Sequence, residues 1–388
     1  MRTAGLYIHI PFCRSKCFYC DFCSYAGMEE LHADYVQALL AEAANESGSW
    51  GETLFDTVYI GGGTPTQLAL DLLLNLWESL PTRLPIAAEA EVTIEANPGT
   101  VGRTTLSVLR SAGVNRLSLG VQSLNEQELR LLGRVHTVDE ARAAIEAARQ
   151  AGFDNLNLDL IFGLPGQSLA EWHRSLEQAL ALAPEHLSLY ALLIEEGTPL
   201  AEHIAQGRLS PPDDDLAADM YELAQDLLEA AGYRHYEISN WARSSSDDRG
   251  HRAPALACQH NLKYWRNEPY LGLGVAAHSY DGQHRCANLQ EPRLYIERIA
   301  RGLSVRASCL HLMEEDRLAE TMMLGLRLIE GIDRNEFAYR FGHELEELYG
   351  PTIRKLGGQG LLEVDEVGIR LTRRGRLLGN RVFAEFLP

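Results

Sequence analysis

Short apolar runs with alternating polar positions recur through the first half of the chain. They read LYIHI (6–10), TVYIG (57–61), VTIEA (92–96), RLSLGV (116–121), LNLDLIFG (156–163) and HLSLYAL (186–192). Each has the two-residue period of a strand. Between them lie stretches with helical spacing. DEARAAIEAARQAG (139–152) is apolar at Ala141, Ile145 and Ala148 and closes on Gly152. SLAEWHRSLEQALALAP (168–184) opens on Ser168 with Glu171 placed for a capping box, and stops before Pro184. Alternating β and α units predict a parallel sheet. Six units are too few for a closed eight-stranded barrel, so the expected fold is α/β, an open, partial (β/α)6 barrel with its chemistry at the carboxyl ends of the strands.

The texture then changes. Residues 1–243 carry the βα repeat, and the small polar stretch SSSDDRGHRAPA (244–255) reads as a linker. YLGLGVAAHSY (270–280) follows as one Gly-rich strand, within a connecting segment that runs to 309. From 310 to 388 the pattern predicts three helices and a strand pair, a small, mainly helical, winged-helix-like domain.

Composition narrows the class. The chain has 388 residues, of which 46% are hydrophobic and 23% charged, ordinary for a globular protein. A formal charge of -19 argues against nucleic acid as a partner, because phosphate binding needs clustered Lys and Arg. MRTAGLYIHIPF has no apolar run with a cleavage site behind it, and no stretch approaches the ~20 apolar residues that span a bilayer. Seven cysteines, four of them crowded together, do not form a disulfide framework, and the expected compartment is the cytoplasm.

Those four cysteines lie in PFCRSKCFYCDFC, with Cys13-x3-Cys17-x2-Cys20 and Cys23 just beyond. The residues alone allow a structural zinc site, a redox dithiol in CFYC, or a four-iron cluster on three thiolates with one iron open. GGGTP (61–65) follows the second strand, where glycines let backbone approach a ligand closely. Glu95, Gln122 and Asp159 end successive apolar runs, a costly place for polar groups unless they share a ligand. Arg134, in LLGRVH, suits a carboxylate in the same cavity. CQHNLKYW (258–265) offers an imidazole and flat rings; it equally suits a core where the aromatics pack and His260 hydrogen-bonds.

The Cx3Cx2C triad after a first β-strand resembles the radical S-adenosylmethionine superfamily. That resemblance implies a [4Fe-4S] cluster on Cys13, Cys17 and Cys20, with the open iron chelated by the methionine amino and carboxylate groups before reductive cleavage to a 5′-deoxyadenosyl radical. It implies cofactor contacts from Tyr7, Gly62, Gly63, Thr64, Glu95, Gln122, Arg134 and Asp159. LYIHIPFC, CDF, GGGTPT, NLDLIFGLPGQS and HNLKYW together resemble, over nearly the whole chain, the oxygen-independent coproporphyrinogen dehydrogenase family, and within it a heme chaperone branch. The dehydrogenases carry a fourth cysteine two residues after the third; here Phe22 stands there and Cys23 is out of register. They also carry a segment ahead of the cluster strand, which is not expected here with the first cysteine at position 13. HNxxYW is a signature of the chaperone branch, linked there to heme, which makes His260, Tyr264 and Trp265 heme candidates, with Cys258 as a further ligand. His278 aligns where the dehydrogenases have an apolar residue beside the cofactor, which argues against a second S-adenosylmethionine. The implied function is to bind heme and pass it to heme-accepting proteins, respiratory ones among them, with peripheral association to membrane proteins. The other activity the resemblance offers is oxidative decarboxylation of coproporphyrinogen III.

Overall fold

A computed structural model describes residues 2–245, 248 and 252–387. All six apolar runs form strands: β1 (Arg2–Ile10), β2 (Thr53–Gly62), β3 (Ile86–Ala96), β4 (Arg116–Gln122), β5 (Leu156–Phe162) and β6 (His186–Ala191). Each neighbouring pair from β1 to β6 is parallel. A helix returns the chain after each strand: α1 (His32–Trp50), α2 (Leu70–Ser79), α3 (Arg103–Ser111), α4 (Val138–Gln150), α5 (Leu169–Ala181) and α6 (Asp214–Ala230). The expected capping box forms, Ser168 with Glu171 at α5, and a second, Thr137 with Glu140, opens α4.

The sheet does not close. Past β6 it ends in two antiparallel strands, β7 (Tyr233–Glu237) and β8 (Asn240–Arg243). Past β1 it continues into β9 (Tyr270–Leu273), which is parallel to β1. Then come β10 (His278–Tyr280), β11 (His284–Asn288) and β12 (Arg306–His311), all antiparallel, twelve strands in total. The segment 244–309 is therefore part of the sheet rather than a connector. Residues 246, 247 and 249–251 of the expected linker lie outside the described residues. The single strand expected over 270–280 is two strands, because Gly274 and Ala276 take positive φ and turn the chain between them. Cys286 and Cys309 face each other across β11 and β12 and are joined by a disulfide. That pairing lies outside the four crowded cysteines, and it becomes visible only once the two strands are in register.

The period-two alternation splits each barrel strand into two chemistries. Leu6, Ile8 and Ile10, Val58 and Ile60, Leu117 and Leu119, Leu158 and Leu160, and Leu187 and Leu189 face the helices in one buried core. Each such side chain contributes about 1.5–3 kcal/mol. The alternate positions face the lumen and are polar: Tyr59, Glu95, Arg116, Ser118, Asn157, Asp159 and Ser188. A filled barrel of this kind puts branched apolar side chains there. This one keeps a cavity.

The floor of the lumen is plugged by α7 (Gln259–Trp265). Glu91 of β3 accepts from the backbone N–H of Gln259 and of His260, both at 3.1 Å, and so caps that helix. Beyond α8 (Pro292–Ala300) lie α9 (Glu314–Gly325), α10 (Arg334–Phe341) and α11 (Leu345–Gly358), with a small sheet of β13 (Ile332–Asp333), β14 (Leu362–Val364) and β15 (Gly368–Leu371). They bury a core of their own around Met322, Leu326, Leu345 and Ile369.

Candidate functional site

A cavity of about 420 Å³ runs down the lumen from the cysteine loop. The loop is held at its root by a two-residue parallel pairing of Phe12–Cys13 with Tyr25–Ala26. It is held further on by hydrogen bonds from Phe18 N–H to Leu132 carbonyl, 3.0 Å, and from Leu200 N–H to Phe18 carbonyl, 2.9 Å. Cys13, Cys17 and Cys20 all line the cavity. Cys23 does not: its Sγ lies 3.6 Å from the Tyr25 hydroxyl and 3.6 Å from the Gln290 carbonyl. Burial pushes the Cys13 and Cys20 thiols upward, so thiolates there need a cation beside them. Three thiols facing one space with the fourth turned away fit a three-thiolate iron cluster better than a four-thiolate zinc site.

The GGGTP turn folds against the loop. Gly63 N–H donates to Ile10 carbonyl and Thr64 N–H to Phe12 carbonyl, both at 2.8 Å. Thr64 Oγ1 is 3.6 Å from Cys13 Sγ and accepts from Asn97 Nδ2 at 2.8 Å. Gly62 has φ +113°, and a Cβ on it would sit 2.6 Å from the His9 ring. A Cβ on Gly63 would sit 2.8 Å from the Phe12 carbonyl oxygen. Only glycines fit this approach.

Glu95 accepts from the Tyr59 hydroxyl at 2.7 Å and from Gly62 N–H at 3.1 Å. Burial, with Asp159 opposite, pushes its carboxyl up to about 7. Asp159 accepts from Ser118 Oγ at 3.0 Å and Asn157 Nδ2 at 2.9 Å, and burial raises it too. Arg134 donates through Nη1 to Cys17 Sγ at 3.3 Å and through Nη2 to Gly120 carbonyl at 2.6 Å and to Asn97 Oδ1. Gln122 ends β4 with φ 66°, a left-handed conformation unusual for a residue with a side chain.

Seven of the eight residues expected around a cofactor thus line one cavity with the three cysteines. Tyr7 does not: its ring lies beside Tyr59 and its hydroxyl bonds His9 Nδ1 at 2.9 Å. Asp159 is mid-strand rather than at a strand end. Ser118, Asn157, Ser188 and Arg116 also line the cavity and were not anticipated. Their signal was present in RLSL, LNLD and HLSL, where a polar residue takes every second place in a leucine run.

The expected heme group is dispersed. His260 is buried, with Nδ1 2.9 Å from Thr57 Oγ1 and Nε2 3.0 Å from the Tyr264 hydroxyl. Both ring nitrogens are engaged here, by Thr57 and Tyr264. Cys258 is wholly buried against Glu91. Tyr264 is wedged edge-on between His260 and Tyr270, and Trp265 lies under the Arg327 guanidinium. His278 is exposed and is not among the residues that line the lumen. It is the one fully exposed residue of the five; Tyr264 and Trp265 are half-buried.

Residues 7–179 match the family model of the radical SAM superfamily, and residues 312–378 that of the HemN C-terminal domain. The chain is 39% identical over 383 residues to a heme chaperone HemW of Bacillus subtilis, covering 98% of each chain. It is 39% identical over 391 residues to a heme chaperone HemW of Escherichia coli, covering 99% of this chain and 98% of that one. The solved structure of coproporphyrinogen III oxidase (HemN) from Escherichia coli, described as a radical SAM enzyme, superposes with a TM-score of 0.85. That superposition covers 99% of this chain and 90% of that one at 24% identity.

Proposed function

Because this chain belongs to the radical SAM superfamily, and within it to the family of HemW heme chaperones, we propose that it binds heme and hands it to acceptor hemoproteins. Membership implies a [4Fe-4S] cluster and S-adenosylmethionine. We assign the cluster to Cys13, Cys17 and Cys20, and the cofactor to Gly62, Gly63, Thr64, Glu95, Gln122, Arg134 and Asp159 above it. The observation that carries the heme reading is the full-length identity of 36–39% to several curated HemW chaperones. Among the described residues no helix is long and apolar enough to cross a membrane. We propose respiratory hemoproteins as acceptors, met from the cytoplasm by peripheral association.

The test is a heme titration of the cluster-loaded protein, run beside anaerobic incubation with coproporphyrinogen III, reductant and S-adenosylmethionine. The expected results are one heme bound per chain, with a Soret band that shifts in His278→Ala, and no conversion of the porphyrinogen. Decarboxylation at turnover rates, with heme held no better than by serum albumin, would replace the chaperone reading with the enzymatic one.

Glu95 sets the pH dependence of cofactor binding. S-adenosylmethionine carries cationic amino and sulfonium groups, which the ionised carboxylate favours and the neutral carboxyl does not. With Glu95 held at about 7, a proton must leave on binding at lower pH. Affinity is expected to fall about tenfold per pH unit below ~7 and to level off above it. Equilibrium dialysis between pH 5.5 and 8 checks this. A profile that Glu95→Gln leaves unaltered refutes it.

A further inference from the structure

The floor of the lumen holds a cation with no acceptor. Arg116, the first residue of β4, is only 2% exposed and lines the same cavity as the cysteines. Its Nε has no hydrogen-bond partner, and its guanidinium forms no ion pair or hydrogen bond among the described residues. The carboxylates whose charge reaches it are Glu91, Glu95 and Asp159. Each is already met by other donors: Glu91 by the first turn of α7, Glu95 by Tyr59 and Gly62, Asp159 by Ser118 and Asn157. Beside Arg116 in register stands Thr93, wholly buried on the Glu95 face of β3, whose Oγ1 also lacks a partner. A buried guanidinium without an acceptor is a costly arrangement, and two adjacent unmet donors at one level point to a group that is absent.

We propose that Arg116 and Thr93 form the recognition end of a second subsite, which takes the carboxylate of an organic acid. The guanidinium fork matches a carboxylate with two parallel hydrogen bonds. The subsite lies below the cofactor positions Arg134 and Gln122 at the mouth, and Glu95 and Asp159 stand between the two levels. Arg116 and Gln122 are the two ends of a 7-residue strand, ~20 Å apart along it. A ligand seated at the upper level leaves the lower one open. The carboxylate belongs either to a small free acid or to an acidic arm of a porphyrin. The inference stands on the lumen alone and does not need the heme reading.

The experiment uses the full-length, cluster-loaded protein. Propionate and its neutral isostere propionamide are titrated by saturation-transfer NMR into the wild type, Arg116→Gln and Arg116→Lys, with folding checked by circular dichroism. Propionate is expected to bind at least tenfold more tightly than propionamide, to lose that preference in Arg116→Gln, and to regain part of it in Arg116→Lys. Hemin and hemin dimethyl ester separate the sources. A preference for hemin that disappears in Arg116→Gln assigns the carboxylate to a porphyrin arm. Equal binding of the two, with the propionate preference intact, assigns it to a separate acid. Equal binding of propionate and propionamide by the wild type overturns the proposal, and the floor then holds water only. So does propionate binding that Arg116→Gln leaves unchanged. If Arg116→Gln does not fold, the comparison of the two probes in the wild type still decides.

Discussion

Iron is expected to be lost when any one of Cys13, Cys17 or Cys20 is replaced by Ala, and retained when Cys23 is replaced. The first three thiols face one cavity, and burial makes each of Cys13 and Cys20 a poor thiolate unless a cation sits against it. Iron is that cation, and a ligand removed from a three-thiolate set leaves two irons of four without protein support. Cys23 stands outside this set, with its sulfur against Tyr25 and the Gln290 carbonyl. Its loss removes two weak sulfur contacts, worth at most about 1 kcal/mol together. The measurement is iron content and the absorbance near ~400 nm, typical of such clusters, after anaerobic reconstitution of the single variants. A Cys23→Ala protein as empty of iron as the other three would mean that the loop rearranges to use all four thiols.

The barrel was legible in the sequence because its signal is local. Each strand carries the two-residue alternation within its own residues, and each capping box within four. The cysteine loop and GGGTP are local too, and they fall where the first two strands end. The lumen was only half legible. Glu95 and Gln122 stood out because they follow apolar runs, whereas Ser118 and Asn157 were hidden inside them. There the leucines identify a strand without telling which of its faces meets helices. Tyr7 had the right alternation for the inner face, yet its ring packs beside Tyr59 and is not among the residues that line the cavity. What depends on distant partners was not legible at all. The α7 helix is capped by Glu91, 168 residues earlier in the chain than Gln259. The Cys286–Cys309 pair needs two strands brought into register across a helix. An imidazole flanked by aromatic rings reads alike as a porphyrin site and as a packed plug, and only the partners of its two nitrogens separate the readings.

Those partners make His260→Ala a stability variant. The ring is buried beneath β1 and β2, bonded to Thr57 on one side and Tyr264 on the other. Removing it leaves a void in a close-packed layer and two buried hydroxyls without a partner. Together these are expected to cost about 3 kcal/mol. Burial, then Lys263 and Arg116, pushes the imidazole down to about 3. In the folded protein it therefore stays neutral where the unfolded chain takes up a proton, near pH ~6.5. Its contribution is complete above pH ~6.5 and is lost as the pH falls from there towards 3, by about 1.4 kcal/mol per unit. Denaturant unfolding of the two proteins at pH 7.5 and pH 5.5 checks both parts. The variant's midpoint is expected to drop at pH 7.5, and the gap between the two proteins to narrow at pH 5.5, because the variant has lost one proton's worth of acid sensitivity. Its Soret band with bound heme is expected to stay where the wild type has it. Stability unchanged within ~0.5 kcal/mol, the range of a surface substitution, together with a displaced Soret band, would instead make His260 the iron ligand and require the plug to open when heme binds.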